Sequence, residues 1–96
     1  MKIMVRARGT GKTKELFETA KQNDAIIITS NKKGLNVKAE SYGYYNLKII
    51  DYEDLVNSNY NLGTNFLVHN ADSFLKWVCK EHYNLNLIGF TATLED

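Results

Sequence analysis

The chemistry available to this chain is concentrated in one octet, Arg6-Ala7-Arg8-Gly9-Thr10-Gly11-Lys12-Thr13. Its end matches the phosphate-cradling pattern G-x-x-x-x-G-K-[ST], with Arg6 standing where the first glycine belongs. Gly9 and Gly11 let the backbone turn sharply and carry its N–H groups against phosphate oxygens. At a helix amino terminus those donors sit where the dipole favours an anion. Lys12 is then placed to reach the outer phosphates, and the Thr13 hydroxyl to face Mg²⁺. A strand, a glycine-rich turn and a helix also occur with no ligand. Lysine in a first helical turn, however, costs roughly 0.3–1 kcal/mol against the macrodipole. Arg6, Arg8, Lys12 and Lys14 crowd this one helix start, which makes most sense if a polyanion sits there. The nucleotide-phosphate residues are therefore Arg8, Gly9, Thr10, Gly11, Lys12, Thr13 and Lys14.

The surrounding pattern supplies elements to hold that loop. Residues 2–5 read as a short buried strand ahead of it. A helix from about Lys12 to Gln22 follows, with Leu16, Phe17 and Ala20 on one face, and Asn23-Asp24 closes it. Ala25 to Thr29 is a continuous run, β-branched from Ile26 onward, the mark of a strand covered on both faces. Between Ser30 and Gly43, Ser30 or Asn31 can cap a short helix, but Gly34 and weak periodicity predict irregular structure. Leu47–Ile50 reads as a third strand. Asp51 caps a brief helix over Tyr52–Asn57, with Leu55 and Val56 as its apolar contacts. Phe66–His69 is a fourth strand, followed by a helix from about Asp72 to Tyr83 that puts Phe74, Leu75, Val78 and His82 on one face. Leu85–Thr91 reads as the fifth. Alternating strands and helices predict a three-layer α/β sandwich with a five-stranded parallel sheet and right-handed crossovers. Strand one is expected at its centre, strand four on one side and strand five on the other, with strands two and three outward beyond strand four.

Bulk properties narrow the class. Ninety-six residues make a single domain, 1–96, with a modest core. A net charge of +1 gives no global field to recruit nucleic acid, so any basic surface must be local. One cysteine, Cys79, provides no disulfide framework and suits a reducing cytosol. No stretch resembles a signal peptide, and every apolar run is far below the about 20 residues of a membrane span. A cytoplasmic place is expected, with no membrane partner. Absence of proline and plentiful Asn, Lys, Ile and Tyr suit an AT-rich coding genome.

Three later segments extend the pattern: ITSNKKGL after strand two, FLVHNADSF across strand four and LIGFTATL across strand five. Taken in order after RGTGKT, they resemble the first lobe of superfamily II helicases and related RecA-like ATPases. RGTGKT corresponds to motif I, and ITSNKKGL to the motif Ia region that touches the nucleic-acid backbone. IIDYEDLV resembles the stretch where that lobe has a strand, Thr-Tyr and a short helix. FLVHNADSF occupies the place of motif II, and GFTATL looks like motif III. Small bacteriophage P-loop proteins of about this length look like the nearest relatives, which would put the chain in a host cytoplasm. The resemblance covers the whole chain, and the order and spacing of its motifs carry it. It implies the P-loop NTPase fold of RecA-like type, ATP rather than GTP as ligand (no guanine-reading N-K-x-D occurs), and Mg²⁺ beside Thr13.

The departures from that family bear on chemistry. Where motif II should deliver Asp-Glu, this sequence has His69 and Asn70. Histidine is a poor ligand for hard, oxygen-seeking Mg²⁺, and asparagine cannot serve as a general base, a role worth ~10²–10⁴-fold. Asp72 is the nearest carboxylate and either caps the following helix or joins Thr13 at the metal. The family's second lobe, with its arginine finger worth ~10³–10⁵-fold in related enzymes, is not in this sequence. Arg6 and Arg8 are the only arginines, so a finger would require a neighbouring subunit. The expected function is ATP binding with weak or absent hydrolysis. Two alternatives stand beside it: a phage-encoded regulatory, anti-defence or replication module that keeps the fold without using nucleotide, and an ATPase active only as an oligomer or with DNA.

Smaller signals each have two readings. Lys32 and Lys33 either pin a nucleic-acid backbone or are merely solvated. Tyr42, Tyr44 and Tyr45 either stack on bases or cover the sheet's edge. Trp77, off the apolar face of its helix, either marks a protein-partner surface or is a lone exposed aromatic. Thr91 and Thr93 either sense the γ-phosphate or fill a strand. Nucleic-acid binding by a single such lobe is expected to be weak.

Overall fold

Three consecutive isoleucines and a threonine, stiff at χ1 and suited to a pleated surface, form β1 (Ile26–Thr29), the middle strand of the sheet. The computed structural model describes residues 12–92 of the chain. β1 is flanked by β2 (Ile49–Asp51) and β3 (Phe66–Val68), in the order β2-β1-β3 with all strands parallel. That is the order expected for the third, second and fourth apolar runs. The helices are α1 (Lys12–Asn23), α2 (Lys32–Ser41), α3 (Tyr52–Val56) and α4 (Ala71–Tyr83).

Register divides the core into two faces. Ile27 pairs with Ile49 and Leu67, and this face is covered by Leu16, Phe17 and Ala20 of α1 with Leu35 and Ala39 of α2. Ile26 and Ile28 line up with Phe66 and Ile50 on the other face. Tyr52 and Leu55 of α3, Tyr60, and Phe74 and Trp77 of α4 pack there. Every residue of β1 is buried, which accounts for its unbroken apolar run.

Two expectations fail. The first concerns residues 30–43, where α2 is a regular ten-residue helix. Asn31 caps it, its Oδ1 accepting the Gly34 N–H at 3.1 Å. Gly34 does not interrupt this helix; a side chain there would collide with the Asn31 amide, so the glycine makes room for the cap.

The second correction is larger. The described residues hold a three-stranded sheet, not a five-stranded one. Residues 85–91 form no strand: Leu85, Ile88 and Phe90 are 62%, 95% and 54% exposed. Asn84 ends α4 in the left-handed region (φ 52°), and the Leu85 N–H closes back onto the Cys79 carbonyl at 2.9 Å. Beyond that bond no ladder forms along the segment among the described residues. β-forming side chains make a strand only where a neighbour pairs with them, so strand propensity alone misleads here. The first expected strand, residues 2–5, lies outside the described residues. No helix among the described residues is long and apolar enough to cross a membrane.

Candidate phosphate site at the carboxyl edge of the sheet

Only Asp24 and Ala25 separate α1 from β1, and Asp24 turns the chain through a positive φ of 50°. The Ala25 N–H bonds back to the Ala20 carbonyl at 2.9 Å. α1 therefore runs back along the strands, and at about 1.5 Å per residue it carries its amino end to the carboxyl edge of the sheet. Lys12 is its first residue, followed by half-buried Thr13 and exposed Lys14. Parallel α/β sheets bind ligands at that edge. The remaining loop residues named above, Arg8, Gly9, Thr10 and Gly11, lie outside the described residues.

At the same edge, the ends of β1 and β3 are tied by side chains. Thr29, 1% exposed, places its Oγ1 3.0 Å from His69 Nδ1 and accepts the Asn31 N–H at 3.3 Å. A threonine hydroxyl has one proton and two lone pairs, so it pairs with Nδ1 in either tautomer of the ring while accepting from Asn31. The His69 N–H donates to the Ile28 carbonyl at 2.9 Å, extending the β1–β3 ladder by one bond. Its carbonyl accepts from the Tyr52 hydroxyl at 2.8 Å, and that hydroxyl also reaches the Asn70 carbonyl at 3.3 Å. Burial pushes the Tyr52 phenol up, the Ser30 hydrogen bond pulls against this, and the Asp72 carboxylate raises it further. Tyr52 thus remains a proton donor at neutral pH, as both carbonyl contacts require.

Asn70 holds the N-cap position of α4 with φ 59° and ψ 72°, a left-handed conformation that asparagine tolerates better than most residues. Its side chain makes no capping bond. Asp72 is not the cap: it lies exposed in the first turn of α4, where a carboxylate suits the macrodipole. Among the described residues, no three His, Cys, Asp or Glu side chains converge to hold a metal. The donor set at the end of β3, one imidazole and one amide, does not fit Mg²⁺.

Lys32 and Lys33 open α2 beside the end of β2, and the Lys32 N–H donates to Asp51 Oδ1 at 3.3 Å. They line a shallow depression of about 530 Å³ that Asp51 and Glu40 also line. Two carboxylates there offset the two lysines, so the groove is not a basic track. Tyr44 and Tyr45 lie at the opposite, amino edge of the sheet, in a cavity of about 650 Å³ with Lys21 and Lys48. Tyr44 packs on Phe17 with ring centroids 5.6 Å apart, and Tyr42 meets the same ring edge-on at 6.1 Å. The tyrosines and the lysine pair do not form one site. Trp77 is half-buried among Tyr52, Phe74 and His82, at 5.9, 6.4 and 5.3 Å, which makes it part of the aromatic cluster under α4. Thr91 is exposed in the segment after α4, and Thr93 lies outside the described residues.

Thr29 and Tyr52 are the members of this edge that the sequence did not single out. The signals were present: a hydroxyl closing an otherwise apolar run, and an aromatic directly after a capping aspartate. No protein-family model matches the chain, and neither a curated protein nor a solved structure matches it.

Proposed function

We propose that this protein binds ATP through the loop ending in Gly11-Lys12-Thr13, as a minimal domain similar to the first lobe of RecA-like helicases, with hydrolysis weak or absent. One observation carries the reading. α1 holds Lys12 and Thr13 in its first described turn, as a phosphate-cradling Gly-Lys-Thr sequence requires, and that end faces the carboxyl edge of a parallel sheet. Weak hydrolysis follows from His69 and Asn70 at the end of β3, where neither side chain is a carboxylate. Under this reading the protein works in the cytoplasm, where nucleotide is abundant and Cys79 stays reduced. A second reading, a protein-interaction module, draws on the exposed Leu85, Ile88 and Phe90.

Thermal unfolding with ATP, GTP and ADP separates the two. Ligand at 100 times its Kd should stabilise the native chain by about 2.7 kcal/mol, and Lys12→Ala should remove that shift while leaving the unliganded melting temperature nearly unchanged. No shift in the wild type at millimolar ATP ends the nucleotide reading and leaves the interaction module.

A further inference from the structure

We infer that the phosphate site takes its polyphosphate without Mg²⁺, an inference that rests on the nucleotide reading above and adds the ionic form of the ligand. The geometry at the end of β3 points this way. His69 Nδ1 is engaged by the Thr29 hydroxyl, and that hydroxyl already accepts the Asn31 N–H. Whichever ring nitrogen carries the proton, an imidazole is a poor ligand for hard, oxygen-seeking Mg²⁺. Protonating the ring adds a positive charge and still supplies no acceptor. Asn70 offers only a neutral amide, which neither carries charge to a hard cation nor orders its water as a carboxylate does.

The carboxylates of this edge have other work. Asp51 forms a reciprocal capping box with Asp54, whose Oδ2 accepts the Asp51 N–H at 3.3 Å, and Asp51 Oδ1 accepts the Lys32 N–H. Asp72 stands exposed in the first turn of α4. The charge balance agrees with the geometry. In phosphate-binding loops a metal neutralises the outer phosphate oxygens. Here Arg6, Arg8, Lys12 and Lys14 fall within nine residues of sequence, together with the amino end of α1, and can take over that neutralisation. A carboxylate at position 69 would restore the need for a metal by setting a negative charge near the phosphates.

Calorimetric titration of the full chain with ATP and with inorganic triphosphate, each in excess Mg²⁺ and in EDTA, tests this. Wild-type affinities should agree between the two buffers within about threefold, a difference of about 0.7 kcal/mol. A larger loss in EDTA overturns the inference while leaving nucleotide binding intact. Absence of binding in both buffers overturns the nucleotide reading, and this inference with it. His69→Asp should bind about tenfold more weakly in EDTA than in Mg²⁺, a gap of about 1.4 kcal/mol. His69→Gln, which keeps an N–H donor and no negative charge, should remain insensitive to the metal. If folded His69→Asp, checked by circular dichroism, is as insensitive as the wild type, position 69 does not face the phosphates and the inference fails. If His69→Asp does not fold, the wild-type comparison and His69→Gln still decide the matter.

Discussion

Phe17→Ala should destabilise the protein by about 3–5 kcal/mol, the range for emptying a buried aromatic site. Phe17 is 0% exposed, lies in the α1 face of the core, and holds Tyr42 and Tyr44 against α1 from the loop after α2. Its removal opens a cavity between two helices and the sheet, and little around it can collapse to refill the space. The neighbouring core residues are small or branched: Ala20, Ala25, Ile27, Leu35 and Ala39. A domain of this size has only about 5–15 kcal/mol of stability in total, so the variant should lose a large fraction of it. Urea denaturation measures the loss, and Val37→Ala serves as a control because Val37 is 62% exposed and should change stability by less than about 0.5 kcal/mol. A loss below about 1 kcal/mol for Phe17→Ala would mean that α1 is not anchored as described. Because α1 also begins with Lys12, a chain that loosens here should lose ligand-induced stabilisation as well.

Restoring carboxylates at the end of β3 should produce the largest gain in activity. The double change His69→Asp with Asn70→Glu is expected to raise ATP turnover in Mg²⁺-containing buffer by ~10²–10⁴-fold, the range for supplying a positioned general base. Arg6 and Arg8, the only arginines of this sequence, both lie in the loop itself, so rates should remain well below those of enzymes with a positioned arginine finger. The backbone at position 70 sets a price on the repair. Asn70 has φ 59°, and glutamate held in the left-handed region is disfavoured by roughly 1–2 kcal/mol. The change at 69 also removes the imidazole that Thr29 Oγ1 meets at 3.0 Å. The variant should therefore melt at a lower temperature while hydrolysing faster, a pairing that a merely structural role for His69 would not produce. Phosphate release by wild type, the double variant, and the double variant carrying Lys12→Ala is the decisive comparison. Robust wild-type turnover that disappears with Lys12→Ala would show that this edge already suffices for catalysis.

Much of this architecture is legible from local pattern. The presence of α1, the burial of β1 on both faces, the short helix after Asp51 and the strand that opens at Phe66 follow from periodicity and caps that lie within a few residues of one another. Two readings failed because the deciding contact was not local in the way assumed. Gly34 looks like a helix breaker until Asn31 is seen folded over it, three residues back. Leu85–Thr91 has strand-forming side chains, but pairing is a property of two segments, and among the described residues no ladder forms on this one. The site divides along the same line. The places of His69 and Asn70 can be read from their distance past a strand. Thr29 and Tyr52 act through bonds spanning 40 and 17 residues of chain, which no window along the sequence displays.

The packing of α4 has a further consequence, in the rates at which backbone amides trade protons with solvent. None of the residues in α4 is fully buried, and the helix packs on the core through half-buried Phe74 and Trp77. β1, by contrast, is buried throughout and bonded on both sides. Amides of β1 should exchange only through global unfolding, whereas those of α4 should exchange through local opening at much lower free energy. Native-state deuterium exchange should resolve these as two separate classes, and a single uniform class would contradict the packing described. The opening helix begins immediately after His69 and Asn70. Under the nucleotide reading, bound polyphosphate should therefore register as slowed exchange in the first turn of α4.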